Sequence, residues 1–224
     1  ILGENVFGGS ISNVQVSGKI AVNNDSKSPY VGGIVGSNGF NTIGGGTAVA
    51  GATRSVVKNA LSKVDITVTG SCTQANVGGI AGKNNYYIKS DDTEVGFIEN
   101  VRNEGSINVD INQSYVGGII GTNIGGVQQA GNIGTVKGSE NNGFINNDLF
   151  NGGTVSGTRY VGGIIGQNMG GKFSDLGNTG SISGTDNTAG LYVGGIIGYN
   201  TRANVRFIPV ITNAYNTGSV SGVG

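Results

Sequence analysis

One phrase is written five times along this chain of 224 residues. It reads Tyr30-Val31-Gly32-Gly33-Ile34-Val35-Gly36-Ser37-Asn38, and its counterparts begin at Asn76, Tyr115, Tyr160 and Tyr192. Each copy keeps Val, Gly, Gly, Ile, one apolar residue, Gly, any residue, Asn. Self-similarity at intervals of tens of residues marks a stacked architecture in which each unit contacts only its neighbours.

A second phrase alternates with the first. Asn100-Val101-Arg102-Asn103-Glu104-Gly105-Ser106-Ile107 matches Asn213-Ala214-Tyr215-Asn216-Thr217-Gly218-Ser219-Val220, with looser copies from Asp148 and Asp175 and degenerate ones from Asn13 and Asn59. The shortest unit, Gly153 to Gly180, needs only 180 − 153 = 27 residues. Longer units carry their surplus in stretches 39–57, 85–98, 124–145 and 201–211, as expected of insertions pushed sideways from a stack.

Strand, not helix, builds the units. Gly occurs 45 times, and each interior Gly costs a helix about 1 kcal/mol relative to Ala. Val64-Asp65-Ile66-Thr67-Val68 and Ile107-Asn108-Val109-Asp110-Ile111 alternate apolar and polar residues, the period of a half-buried strand. Val-Gly-Gly-Ile-Ile-Gly breaks that alternation. It reads as a strand bent at the Gly pair, with Val and a following Ile such as Ile119 or Ile164 facing inward. The closing Asn residues (Asn38, Asn84, Asn123, Asn168, Asn200) fit a turn, since Asn tolerates left-handed backbone. Stacked, they would form an amide ladder; the other possibility is solvated turn residues. The ladder is the preferred reading, because a turn alone would accept Gly or Asp in some copies.

Tyr192 to Asn200 together with Asn213 to Gly222 resembles the GLUG repeat of bacterial secreted and cell-surface proteins, including filamentous adhesins and non-catalytic regions of large surface peptidases. The resemblance covers the chain apart from its insertions; Asn76 in place of Tyr and Ala81 in place of Val or Ile make the second copy the least regular. It implies an all-β, right-handed parallel β-solenoid (β-helix) of about five to six irregular repeats, and an extracellular or cell-surface setting. It hands over no catalytic residue. The whole of 1–224 is expected to be one solenoid domain, a fragment of a longer array.

Composition narrows the chemistry. Lys and Arg total 13, as do Asp and Glu, with no basic run, so neither nucleic acid nor anionic lipid is an expected partner. No stretch approaches the ~20 apolar residues of a membrane span. With a single Cys72 there is no internal disulfide, and that thiol reads as a small core or surface residue. Zero His removes Ser-His-Asp and Cys-His nucleophiles and most zinc sites. No catalytic, cofactor-binding or metal-binding residue is expected. The densest acidic stretch, Asp91, Asp92 and Glu94, offers oxygen ligands for Ca²⁺ but matches no calcium loop, and reads as a solvated loop.

Tyr30, Tyr115, Tyr160 and Tyr192 share one slot and are expected to line up, capping the edge of the core; Tyr199 and the pair Tyr86-Tyr87 lie outside that slot. The function expected is a non-catalytic structural or adhesive segment: a stalk that meets a protein or glycan on a host or neighbouring cell, or another copy end to end. The alternative is a polysaccharide-acting enzyme on a parallel β-helix, which would bring several acids and bases together in a groove.

Overall fold

The computed structural model describes residues 2–6, 8–39, 55–88, 94–125, 145–185, 190–202 and 209–223, and among these the regular structure is strand, joined by turns and bends, with no helix. The strands recur in one order. β1 (Leu2–Asn5) and β2 (Ser10–Asn23) come first, then β3 (Tyr30–Gly32), β4 (Val35–Asn38) and β5 (Val56–Thr69). The next repeat holds β6 (Ala75–Gly78), β7 (Ala81–Ile88), β8 (Glu94–Val95), β9 (Phe97–Asn103) and β10 (Ile107–Asp110). It is followed by β11 (Ser114–Gly117), β12 (Ile120–Gly125), β13 (Ile145–Asn151) and β14 (Val155–Gly157). β15 (Tyr160–Gly162), β16 (Ile165–Asn168), β17 (Lys172–Asn178) and β18 (Ile182–Thr185) repeat the order, as do β19 (Tyr192–Gly194), β20 (Ile197–Asn200), β21 (Val210–Asn216) and β22 (Val220–Val223).

Each strand pairs in parallel with its counterpart one repeat away, in three sheets. The first runs β1-β4-β7-β12-β16-β20 and the second β3-β6-β11-β15-β19. The third begins with the long β2 and β5; from the following repeat onward the equivalent length is divided in two, as β9 and β10. Register is kept residue for residue: Val31, Val77, Val116, Val161 and Val193 are successive partners in the second sheet. The exception to parallel pairing is β7 with β8, which makes part of the 85–98 insertion antiparallel strand.

The apolar residues of the repeated phrases fill two clusters. Ile34, Val35, Ile80, Ile119, Ile120, Ile164 and Ile165 pack against Val57, Ile98, Val101, Leu149 and Leu176. Val31, Val77, Val116 and Val161 pack against Ile66, Val68, Ile107, Val109, Val155 and Ile182, and buried Cys72 joins this second cluster. The Gly pair carries the chain from one cluster to the other. Val116, Ile119 and Ile120 are all fully buried, so the bend turns three residues of the phrase inward, one more than strict alternation across it would allow.

Glycine is needed at that bend for space. A Cβ built on Gly118 would lie 2.1 Å from the Gly163 carbonyl oxygen and 2.3 Å from Cγ of Asn151. On Gly79 and Gly163 the same atom would meet Asn103 and Asn178 at 2.3 and 2.5 Å. The Gly of the first phrase thus packs on the Asn of the second, which explains why the phrases alternate as a pair.

Candidate functional site

The closing Asn residues form a continuous ladder. Asn5 Nδ2 donates to Asn38 Oδ1 at 2.8 Å, Asn38 to Asn84 at 2.9 Å, Asn84 to Asn123 at 3.0 Å, Asn123 to Asn168 at 3.0 Å and Asn168 to Asn200 at 2.9 Å. Asn38, Asn84, Asn123 and Asn168 are fully buried. Their second amide hydrogens are also taken in three cases, by the carbonyls of Phe97, Gly96 and Gly170 for Asn38, Asn84 and Asn123. The expected turn is corrected here: these residues lie in strands, at the ends of β4, β16 and β20 and inside β7 and β12, and lack positive φ, because a buried, in-line ladder requires extended backbone. Asn5 opens the ladder from Leu2-Gly3-Glu4-Asn5, a remnant of the phrase's Ile-Gly-x-Asn ending that was there to be seen.

A second buried ladder comes from the second phrase. Asn103 donates to Asn151 at 2.9 Å, Asn151 to Asn178 at 2.8 Å and Asn178 to Asn216 at 2.6 Å. Each also donates to the carbonyl two residues on, of Gly105, Gly153, Gly180 and Gly218. The left-handed positions are elsewhere: Asn13, Asn59, Asn100, Asp175 and Asn213 have φ of 56°, 51°, 48°, 57° and 52°. They open the second phrase, which explains its Asn/Asp preference. Their side chains make an outer, solvent-facing column, Asn100 donating to Asn59, Asn59 to Asn13, and Asn213 to Asp175 at 3.1 Å.

The Tyr slot lines up as expected, and gains a member. Tyr115 and Tyr160 stack with centroids 5.0 Å apart, and Tyr192 meets Tyr160 edge-on at 5.4 Å. Tyr199, expected outside the group, stacks on Tyr160 at 4.5 Å, because the variable residue before each closing Asn faces the Tyr slot of the preceding repeat. Lys83 lies over Tyr30 in the same way, 4.9 Å from its centroid, and Thr122 donates to Asn76 Oδ1 at 2.6 Å. Burial pushes the Lys83 ammonium below its ordinary range, opposed by Glu4, and burial raises the Tyr115 phenol, opposed by Arg159. Arg159 sits 4.8 Å from the Tyr160 centroid and donates to Gln113 Oε1 at 2.5 Å.

On the third sheet's outer face a cleft of about 430 Å³ is lined by Leu149, Phe150, Asp175, Gly177, Asn213, Ala214 and Tyr215. Phe150, Gly177 and Tyr215 are register partners in successive repeats.

Residues 189–221, which include β19 to β21, match the family model described as the GLUG motif. This stretch is a GLUG motif. The copies upstream share its Val-Gly-Gly-Ile and closing Asn, and the strands of the nearest one, β15 to β18, pair with those of the GLUG stretch in register. No curated protein and no solved structure matches the chain.

Asp91 and Asp92 of the acidic stretch lie outside the described residues, as do the side chains of Glu94, Tyr86 and Tyr87 and most of the insertions at 39–57 and 124–145. Among the described residues no three His, Cys, Asp or Glu come together as metal ligands. Glu104 is taken by Lys63 at 3.2 Å and Arg102 at 2.7 Å; the Lys63 hydrogen bond is the main reason its carboxyl is held below the ordinary range.

Proposed function

We propose that this chain is a non-catalytic structural or adhesive segment of a bacterial surface protein or extracellular appendage. In this reading its three parallel sheets close into a right-handed parallel β-solenoid, and the solenoid serves as a rigid stalk. The observation that carries it is the amide ladder running unbroken from Asn5 to Asn200. Such a ladder ties each repeat to the next with buried, directional bonds, as a load-transmitting rod requires. The GLUG motif and the surface of Gly, Asn, Ser and Thr support a secreted or cell-surface setting.

The partners proposed are a protein or glycan on a host or neighbouring cell, or another stack end to end. The polysaccharide-acting alternative asks for converging acids, and the cleft beside Tyr215 holds a single carboxylate, Asp175.

Small-angle scattering with a glycan-degradation assay tests the proposal. A rod lengthening by ~4.8 Å per repeat, with no new reducing ends from bacterial or plant polysaccharides, is expected. A globular profile or sustained turnover would overturn it.

A further inference from the structure

We propose that the cleft beside Tyr215 binds one pyranose ring of a glycan. The proposal rests on the adhesive part of the reading above and supplies its ligand class.

The cleft exists because one side chain is missing. The outward slot of the third sheet is held by Leu61, Arg102, Phe150 and Tyr215, with Gly177 between the last two. A Cβ built on Gly177 would lie 2.5 Å from Cζ and from the hydroxyl oxygen of Tyr215, so that ring lies on the Gly177 backbone. The same ring lines the cleft. Phe150 is the partner on the other side of Gly177. A ring resting on backbone and lining a cleft is a platform for the apolar C–H face of a sugar.

Polar groups stand beside the platform. Asp175 and Asn213, set by left-handed φ of 57° and 52°, project side by side with Asn213 Nδ2 donating to Asp175 Oδ1 at 3.1 Å. Ser174 Oγ donates to Asp175 Oδ2 at 2.9 Å. The carboxylate retains lone pairs and the Asn amide a donor and an acceptor, which suits adjacent hydroxyls that both give and accept hydrogen bonds. An organic cation is the other ligand that aromatics and a carboxylate attract. It is disfavoured because the Arg102 guanidinium already lies 4.2 Å from the Phe150 centroid.

The test is an NMR titration of the full chain, labelled at Phe and Tyr rings, with the methyl β-glycosides of glucose, galactose and N-acetylglucosamine, and with choline. Saturable shifts of the Tyr215 and Phe150 signals are expected with at least one glycoside, with a dissociation constant on the order of 1 mM. Gly177→Ala, which lifts Tyr215 off its floor at a slot where other repeats carry full side chains, should weaken binding about tenfold. Tyr215→Ala, at an exposed side chain, should do the same if Gly177→Ala fails to fold. Asp175→Asn keeps the left-handed backbone and the Asn213 acceptor, and should lower affinity severalfold. Absence of shifts with all three glycosides, saturation by choline instead, or binding unmoved by these substitutions would overturn the site. None of those results would change the rod length on which the stalk reading stands.

Discussion

At the scale of single residues, two kinds of Asn do different work. Asn123 is fully buried, accepts from Asn84, and donates to Asn168 and to the Gly170 carbonyl. Replacing it by Leu strands several buried polar groups, each worth about 1–3 kcal/mol when unsatisfied. Asn123→Leu should therefore lower stability by about 3 kcal/mol or more in urea unfolding. Asn100 is exposed with φ of 48° and illustrates the other kind. Asn100→Gly should be nearly neutral while Asn100→Ala should cost about 1–2 kcal/mol, since Ala meets a Cβ clash in left-handed backbone that Gly lacks. Equal effects from the two would show that backbone conformation is not what the slot selects. The ladder could be anticipated from the lack of variation in the closing Asn. The location of the left-handed residues could not, because both positions hold Asn and a sequence does not say which one leaves the extended region.

At the scale of the element, the bent strand depends on close glycine-to-backbone contact between neighbouring repeats. Gly118→Ala would place a methyl 2.1 Å from a backbone oxygen, with no flexible atom to give way. It should unfold at least one repeat, read as a large drop in thermal midpoint. Gly152→Ala, whose added carbon approaches nothing nearer than Cε1 of Phe150 at 3.3 Å, should shift the midpoint little. The strand periods of the third sheet were legible from Val64 to Val68 and Ile107 to Ile111, where alternation matches burial residue by residue. Parity across Gly117-Gly118 was not, since a bend with no side chains leaves no periodic signal. Tyr199 was missed for a related reason: its contact with Tyr160 crosses repeats. At the surface, Glu104 is held below its ordinary range by Lys63 and is exposed. Its small contribution is present above the unfolded carboxylate pKa and fades as pH falls through the folded value, and high salt should diminish it.

At the scale of the whole molecule, parallel register makes neighbouring repeats interdependent. Substituting Ile119 or Ile164 by Asp would bury an unpaired charge in the cluster shared by several repeats, and should abolish cooperative unfolding. Lys19→Ala, at an exposed position of β2, should leave the transition unchanged. The repeat order, the all-β class and the apolar positions could be read from two alternating phrases. The outer cleft could not, because Gly177 stands inside a looser copy of the second phrase and its meaning depends on the ring one repeat later. The closing Asn side chains form one buried hydrogen-bonded ladder across the repeats. Hydrogen exchange of the side-chain amides of Asn38, Asn84, Asn123 and Asn168, followed by NMR, tests it most directly. Nδ2 protons protected as strongly as the backbone amides of the neighbouring Ile residues are expected, and exchange at the rate of free asparagine would show that no such ladder exists.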